Sequence, residues 1–464
     1  MTKPSVPSFS NPLQFDHLML EPVHEMMHTG IRIDQEEKER LQTVALEQWD
    51  KDQAQLDIIV GRPLNVSSTK WVPYYLFTIL GLPKKTRKTK LRSDEEALRS
   101  LMAECMHKVY TVQSESAQYR WKRGYLSCHF ILKVRGQRKK ISSYLGLHIE
   151  KGVLKGPAPF EDPDGRLRGT ISVGGTETAR FSHSKTLWGT GVNLATIPLE
   201  LRTMYIADDG YELCEFDMQR GESWIYAHLS EDPELLRIHT GGLDFHAETA
   251  AVISSAVGDP ISADWVVANK DGKAYKIRFT SKKINHATSY RMGAKTGADS
   301  VNAEAEETGV TITIAQFKKA QALWHEKYFM IRSTWWPEIE RTLGTSRTMK
   351  TPYGRIHQFH DAWGEGLFKT ATAYVPQSTS VDYINRGYLR VYHLFEKLGA
   401  WDLKVLAQTH DSVLVQYKQE HRDEVIPSVV EELTSELTIK HRTFTIPIEA
   451  NYGQSWGDLT KYSA

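Results

Sequence analysis

The first clear pattern of apolar and polar positions begins at Asp34. Leu41, Val44, Ala45, Trp49, Leu56 and Ile59 then recur at roughly helical spacing. Asp34 can accept hydrogen bonds from the exposed backbone N–H groups of that helix, and Glu37 three residues on predicts a capping box. Residues 1–24 read as a flexible lead-in. A second helical run follows Ser67–Ser68, from Trp71 to Leu80. Around Leu167–Ser182 the pattern turns to short strands. From about Asp232 to Lys369 it is mostly helical, with a loop between Gly258 and Gly272. A long helix (about Ala371–Leu398), a strand pair, another helix and a closing strand at Phe444–Ala450 follow. Strands split by a long helical insertion predict an α+β sheet domain with helical appendages.

Charge changes this picture only locally. The 464 residues carry 58 Lys and Arg against 57 Asp and Glu, which excludes a uniformly basic nucleic-acid coat. Two basic runs stand out, KKTRKTKLR from Lys84 to Arg92 and KVRGQRKK from Lys133 to Lys140. They read either as solvated loops or as phosphate contacts on a nucleic-acid backbone. Cys105, Cys128 and Cys214 form no CxxC pair; they suit a reducing compartment and read as ordinary fold residues. The longest apolar run, Trp71–Pro83, is too short to span a bilayer. The expectation is a cytoplasmic protein, in a host cytoplasm if phage-encoded, with no membrane partner.

Three segments carry candidate chemistry. In ELCEFDMQRGE, Leu213, Cys214, Phe216 and Met218 predict a partly buried strand that ends at Asp217 and a turn. In KVLAQTHDSVLVQY, two β-branched runs flank His410–Asp411, which predicts a hairpin with those residues at its tip. Taken singly, each Asp is a common turn residue. Side by side they would repel, and divalent ions could relieve that repulsion and clamp the oxygens of a phosphoryl transfer. In RFTSKKINHATSYRMG, Arg278, Lys282, His286 and Tyr290 fall at every fourth position. One helix face would then offer two permanent cations for a triphosphate and two flat rings for a base or sugar. A solvated basic helix is the plainer reading of that segment alone.

Together these segments resemble the family A DNA polymerases. FDMQRGESWIYAHLSED is similar to their motif A, the Arg278–Tyr290 segment to motif B and QTHDSVLV to motif C. GTETARFSHS, NLATIP, LDFHAETA, TPYGR, VPQSTSVD and the closing NYGQSWGDL extend the resemblance in order. Upstream, NVSSTKWVPYYLFTILGLP and MHTGIRID carry it back to about residue 20. It implies a right hand with the thumb at 25–150, palm at 151–232 and 369–464, and fingers at 233–368. The implied reaction is template-directed addition of dNTPs to a primer 3′-OH, in phage or bacterial DNA replication. Asp217 and Asp411 are implied to hold two Mg²⁺, with Mn²⁺ as a substitute. His246, Arg278 and Lys282 grip the triphosphate, and Lys282 protonates the leaving pyrophosphate. Glu222 excludes the ribose 2′-OH and braces Tyr290, which sits near the templating base. Arg180 and Gln377 read the minor groove, and His410 positions the primer end. Lys84, Lys85, Arg87 and Lys88 become candidate DNA contacts.

The departures are specific. Ser412 stands where many relatives have Glu, His286 where Phe or Tyr is usual, and Arg291 where Gly follows the motif B Tyr. Gly221 replaces a bulky apolar residue, which predicts a looser sugar gate, and Lys369 and Ala373 replace Arg and Asn. The segment before the thumb is too short for a nuclease domain, so no proofreading is expected. A separate exonuclease, helicase or single-strand-binding protein is then a compatible partner, beside primer–template DNA and dNTPs. A single-subunit RNA polymerase and a non-catalytic nucleic-acid-binding relative are the alternatives. Glu222 argues against the first, and the retention of both Asp217 and Asp411 against the second.

Overall fold

The computed structural model describes residues 11–87, 89–256, 259–269, 271–398 and 402–463; Lys88, among the candidate DNA contacts, lies outside them. Its largest sheet among those residues has eight strands. The path runs Lys404–Thr409, Ser412–Lys418, Tyr211–Met218, Ile448–Ser455, Tyr205–Ile206, Ile31–Ile33, Arg166–Leu167, and Asp458–Lys461 pairs with Ile448–Ser455. Every pairing is antiparallel.

Strand alternation in Tyr211–Met218 decides what each face carries. Cys214, Phe216 and Met218 are buried in one apolar cluster with Val413, Val415, Ile384 and Tyr388. Leu213 points the other way, into a cluster with Leu414, Trp49, Leu101 and Ile131. Continuing along that second face, the row passes from Leu213 to Glu215 and Asp217 as the strand leaves the core. The acidic end is therefore the end where apolar cover runs out.

The second cluster is roofed by the helices Gln35–Val60, Glu95–Thr111 and Glu115–Tyr144. Asp34 caps the first of these by accepting from the Glu37 amide at 3.1 Å. The reciprocal half of the predicted capping box is absent. The Asp34 amide donates to Met204 O, and the Glu37 carboxylate is taken by Arg40 and Thr203. The run at Lys133–Lys140 lies within the Glu115–Tyr144 helix rather than in a loop. Arg135 spends its guanidinium on the carbonyls of Val66 and Ser93, Arg138 reaches Ile149 O, and Lys140 pairs with Glu200 at 2.9 Å. Those three bind this protein's own groups; Lys133 and Lys139 are exposed.

Of the expected lead-in, residues 1–10 lie outside the described residues, and the rest needs correction. Residues 12–18 and 20–29 form the helices Pro12–Leu18 and Leu20–Thr29, because Phe15, Met19, Val23 and Met26 recur at helical spacing and are buried. Arg355 holds both Asp16 and Asp382, with Nε 2.8 Å from each Asp382 oxygen and Nη1 2.8 Å from Asp16. The Tyr388 hydroxyl donates to Pro22 O at 2.7 Å. The segment 31–33, grouped with the thumb on sequence, supplies a strand of the main sheet.

A third cluster joins the helices Phe245–Ala256, Gly272–Ser289, Ile314–Lys327 and Trp336–Ser346 around Trp324, Tyr328 and Phe317. The helix Glu365–Leu398 passes from this body to the sheet, contributing Leu367 and Ala371 to one cluster and Ile384 and Tyr388 to the other. No helix among the described residues is long and apolar enough to cross a membrane.

Candidate active site

Asp217 is paired across the ladder with Ser412, beside Asp411 at the hairpin tip. The Met218 amide donates to Asp411 O at 2.9 Å, fixing the strand end to the tip. His410 takes the left-handed backbone the tight tip requires, at φ +59°. Strand end and hairpin tip open on one cavity of about 720 Å³. Its walls include Asp217, Asp411, His410, Arg180, Glu222, His246, Arg278, Lys282, His286 and Tyr290. Ten predicted residues from five separate segments thus meet at one place.

The electrostatics of the two carboxylates follow from burial without a cation. Desolvation, then Asp411, Glu215 and Glu449, push the Asp217 pKa up to about 7, while Lys282 opposes the rise. Asp411 faces the cavity but is enclosed by protein elsewhere, which raises its pKa; Glu222 adds to the rise. Neither makes an ion pair among the described residues. Asp217 accepts a hydrogen bond from Gln219 Nε2 at 3.0 Å. Two hard oxygen donors of this kind fit a divalent ion that completes its shell with phosphate and water. No group of three or more His, Cys, Asp or Glu suited to a metal is present among the described residues.

Facing them is the Gly272–Ser289 helix, whose fourfold spacing sets Arg278, Lys282 and His286 toward the cavity with Tyr290 at its C-cap. Arg278 pairs with Asp244 at 2.9 Å. Burial pushes the His246 pKa down to about 4, so it is neutral near pH 7, with Asn285 Nδ2 3.0 Å from its Nδ1. Glu222 is held from two sides, by Arg180 Nη2 at 3.0 Å and by the Tyr290 hydroxyl at 2.5 Å. The ring of Tyr290 meets Tyr226 and His286 edge to face.

Several expectations shift. Gln377, half-buried one turn before Ser380 on the Glu365–Leu398 helix, lies outside the cavity wall. Lys84 is exposed, but Lys85 pairs with Glu104 at 3.1 Å, and Arg87 ends the short strand Thr86–Arg87. The space expected beside Gly221 is filled. A β-carbon there would fall 2.4 Å from Met218 Cε and 2.9 Å from Ser380 Oγ, so those two side chains fill the space. Ser412 donates to Glu215 Oε1 at 3.1 Å, so a carboxylate is still attached to that position from the neighbouring strand.

Arg220 and Asp244 also line the cavity and were not singled out on sequence. Arg220 takes a left-handed backbone at φ +57°, ahead of the Gly221–Ser230 helix, and donates to Leu243 O at 2.8 Å. The only signal in the sequence was an Arg next to a Gly after a strand.

Residues 35–458 match the family model described as DNA polymerase family A. The thermostable DNA polymerase I of Thermus aquaticus is 24% identical over 454 residues, covering 93% of this chain and 46% of that protein. DNA polymerase I of Pseudomonas aeruginosa is 24% identical over 416 residues, covering 86% of this chain and 39% of that one. The chain thus spans about half the length or less of these relatives. Among solved structures, the POL domain of Pol1 from M. smegmatis, in complex with DNA primer-template and dNTP, superposes with a TM-score of 0.72. That match is 21% identical and covers 95% of this chain and 70% of that chain. It shows the fold, the α+β right hand of palm, fingers and thumb. With the family model matching nearly the whole length, the chain belongs to the family A DNA polymerases.

Proposed function

We propose that this chain extends a primer 3′-OH with dNTPs under the direction of a DNA template. The observation that supports it is the opposition, across one cavity, of the Asp217–Asp411 pair and the Arg278–Lys282–His286–Tyr290 face. One wall offers two carboxylates without a counter-cation; the other offers cations and rings. A triphosphate with its base fits that polarity, its phosphates toward Arg278 and Lys282 and its sugar beside Glu222 and Tyr290.

Asp217 and Asp411 would hold two Mg²⁺, or Mn²⁺ in their place. When bound, such ions lower the cost of the attacking oxyanion and of charge on the leaving oxygen. Arg278 and Lys282 orient the triphosphate in line with the primer end. Lys282 is the ammonium placed to give a proton to the departing pyrophosphate. Neutral His246 can donate to a phosphate oxygen without adding charge. Arg180 and His410 flank the primer side of the cavity, and Glu222 blocks a 2′-OH. Residues 25–150 act as the thumb, with exposed Lys84 toward the duplex; 233–368 are the fingers, and the segments around them the palm. The setting proposed is phage or bacterial DNA replication in the cytoplasm.

Primer extension on a defined template, with dNTPs and NTPs in parallel, tests the reading. The wild type should extend with dNTPs. Asp217→Ala and Asp411→Ala should lose extension while keeping most primer–template affinity, since phosphate contacts elsewhere supply it. Near-normal rates in either variant would sink the assignment. Preference for NTPs would favour the RNA-polymerase alternative.

A further inference from the structure

Residue 291 follows Tyr290 immediately, and its backbone lies in the left-handed region at φ +59°. A side chain with a β-carbon is strained there, and such strain persists only where surrounding contacts hold it. The contacts of Arg291 are unusual for a cation. Its side chain is 6% exposed, and Nη1 lies 2.6 Å from Glu340 Oε1. The guanidinium stands 4.6 Å from the Trp336 ring centroid and 5.4 Å from that of Phe368. Nε and Nη2 are buried with no hydrogen-bond acceptor among the described residues. One ion pair and two ring faces therefore hold the group, an arrangement that suits the flat guanidinium and not an ammonium.

The partners sit on two different elements. Trp336 and Glu340 belong to the Trp336–Ser346 helix, and Phe368 to the Glu365–Leu398 helix. On the other side of the same turn, the Tyr290 ring is 9% exposed, lines the cavity and donates its hydroxyl to Glu222. The turn is thus held from behind by Arg291 and from the front by Tyr290.

We infer that Arg291 is a positioning residue: it fixes the turn carrying Tyr290 against the two helices behind it, and through that ring sets how strictly the site separates matched from mismatched nucleotides. This rests on the polymerase reading above. A rigid flat wall accepts one base-pair shape, whereas a wall free to shift by a fraction of its width accepts several. Displacements of that order at a reacting site carry large rate consequences.

The test compares Arg291→Gly, Arg291→Lys and Tyr290→Ala with the wild type in single-nucleotide insertion. Glycine fits the left-handed backbone without strain, so R291G should fold, with Tm moved by only a few degrees. Its ratio of mismatched to matched kcat/KM should rise roughly tenfold. R291K keeps charge toward Glu340 but offers no plane to the rings and should fall between. It carries the same ratio test should R291G unfold. In a Tyr290→Ala background, R291G should change the ratio by less than about twofold, because the wall it acts through is already gone. An unchanged ratio in the single variant, or a fully additive effect in the double, overturns the inference alone. A wild type that incorporates no dNTP overturns it together with the polymerase reading.

Discussion

Glu222→Ala tests the proposed sugar contact, and the structure gives this carboxylate two hydrogen-bond donors. The carboxylate accepts from Arg180 at 3.0 Å and from the Tyr290 hydroxyl at 2.5 Å, and its side chain is 27% exposed. Hydrogen bonds to a charged group contribute roughly 1.5–3 kcal/mol each, and a buried hydroxyl left without an acceptor costs about 1–3 kcal/mol. Removing Glu222 therefore strands Tyr290 and opens space where a 2′-OH would lie. If only one such interaction separates ribose from deoxyribose, the dNTP preference should fall by about 10- to 100-fold, at roughly 1.4 kcal/mol per factor of ten. Glu222→Gln keeps the bulk and an acceptor for Tyr290 and should retain most of the preference if exclusion is steric. Tyr290→Phe leaves Glu222 with Arg180 and should cost less than Glu222→Ala. The assay is competition between dNTP and NTP for one template position, read as a ratio of kcat/KM. An unchanged ratio in Glu222→Ala would refute the placement of this residue under the sugar and return weight to an RNA polymerase. His286→Phe, in the same assay, should alter 2′,3′-dideoxynucleotide use more than ribonucleotide use.

Other outcomes follow from the structure. Asp217 has a folded pKa of about 7 against an ordinary 3.8, so between those values the folded chain holds a proton that the unfolded chain has lost. The contribution of Asp217 to the stability of the ion-free protein then falls as pH rises from about 4 to about 7, and Asp217→Asn should remove that loss. Melting in a chelator at pH 5 and pH 8 checks it: the variant should gain on the wild type at the higher pH, while extension is lost at both. Neutralising exposed Lys84, Lys133 and Lys139 should flatten the salt dependence of DNA binding by about 0.9 log units per lost contact. Arg135→Ala should lower Tm with little change in that slope, because Val66 and Ser93 carbonyls lose their donor; an unchanged Tm would contradict it. Breaking the buried Asp382–Arg355 pair by Asp382→Ala should cost about 3–5 kcal/mol in denaturant unfolding. Asp16→Ala, at the more exposed end of the same network, should cost less.

The site was legible where local pattern and chemistry coincide. Asp217 closes a run of alternating residues, Asp411 sits between two β-branched runs, and Arg278 to Tyr290 repeat every fourth residue; each is a short-range signal. Arg220 was not legible, because its role depends on a left-handed turn and on Leu243, far along the chain. The Lys133–Lys140 run looked like a loop because its charge masked Ile131, Val134, Ile141 and Tyr144, which keep helical spacing and are buried. Phe15 and Met19 gave too short a run to be separated from a polar lead-in, and Arg355 lies more than 300 residues away. Gly221 misled for a related reason: the missing bulk is returned by Met218 and by Ser380 from a distant helix.

The strand order of the main sheet has a consequence for synthesis. Tyr211–Met218, the strand that ends in Asp217, lies between Ser412–Lys418 and Ile448–Ser455, both made some 200 residues later. As the chain leaves the ribosome, this strand must wait with both edges unpaired until those two segments emerge. Closing such long loops is slow, and bare strand edges invite pairing with other chains. The helices from Phe245 to Ser346 lie between these partners in sequence and bury their own cluster around Trp324, so they can form during the wait. The two carboxylates are brought together only when the sheet closes, so their cavity forms after the helices that come between its strands in sequence.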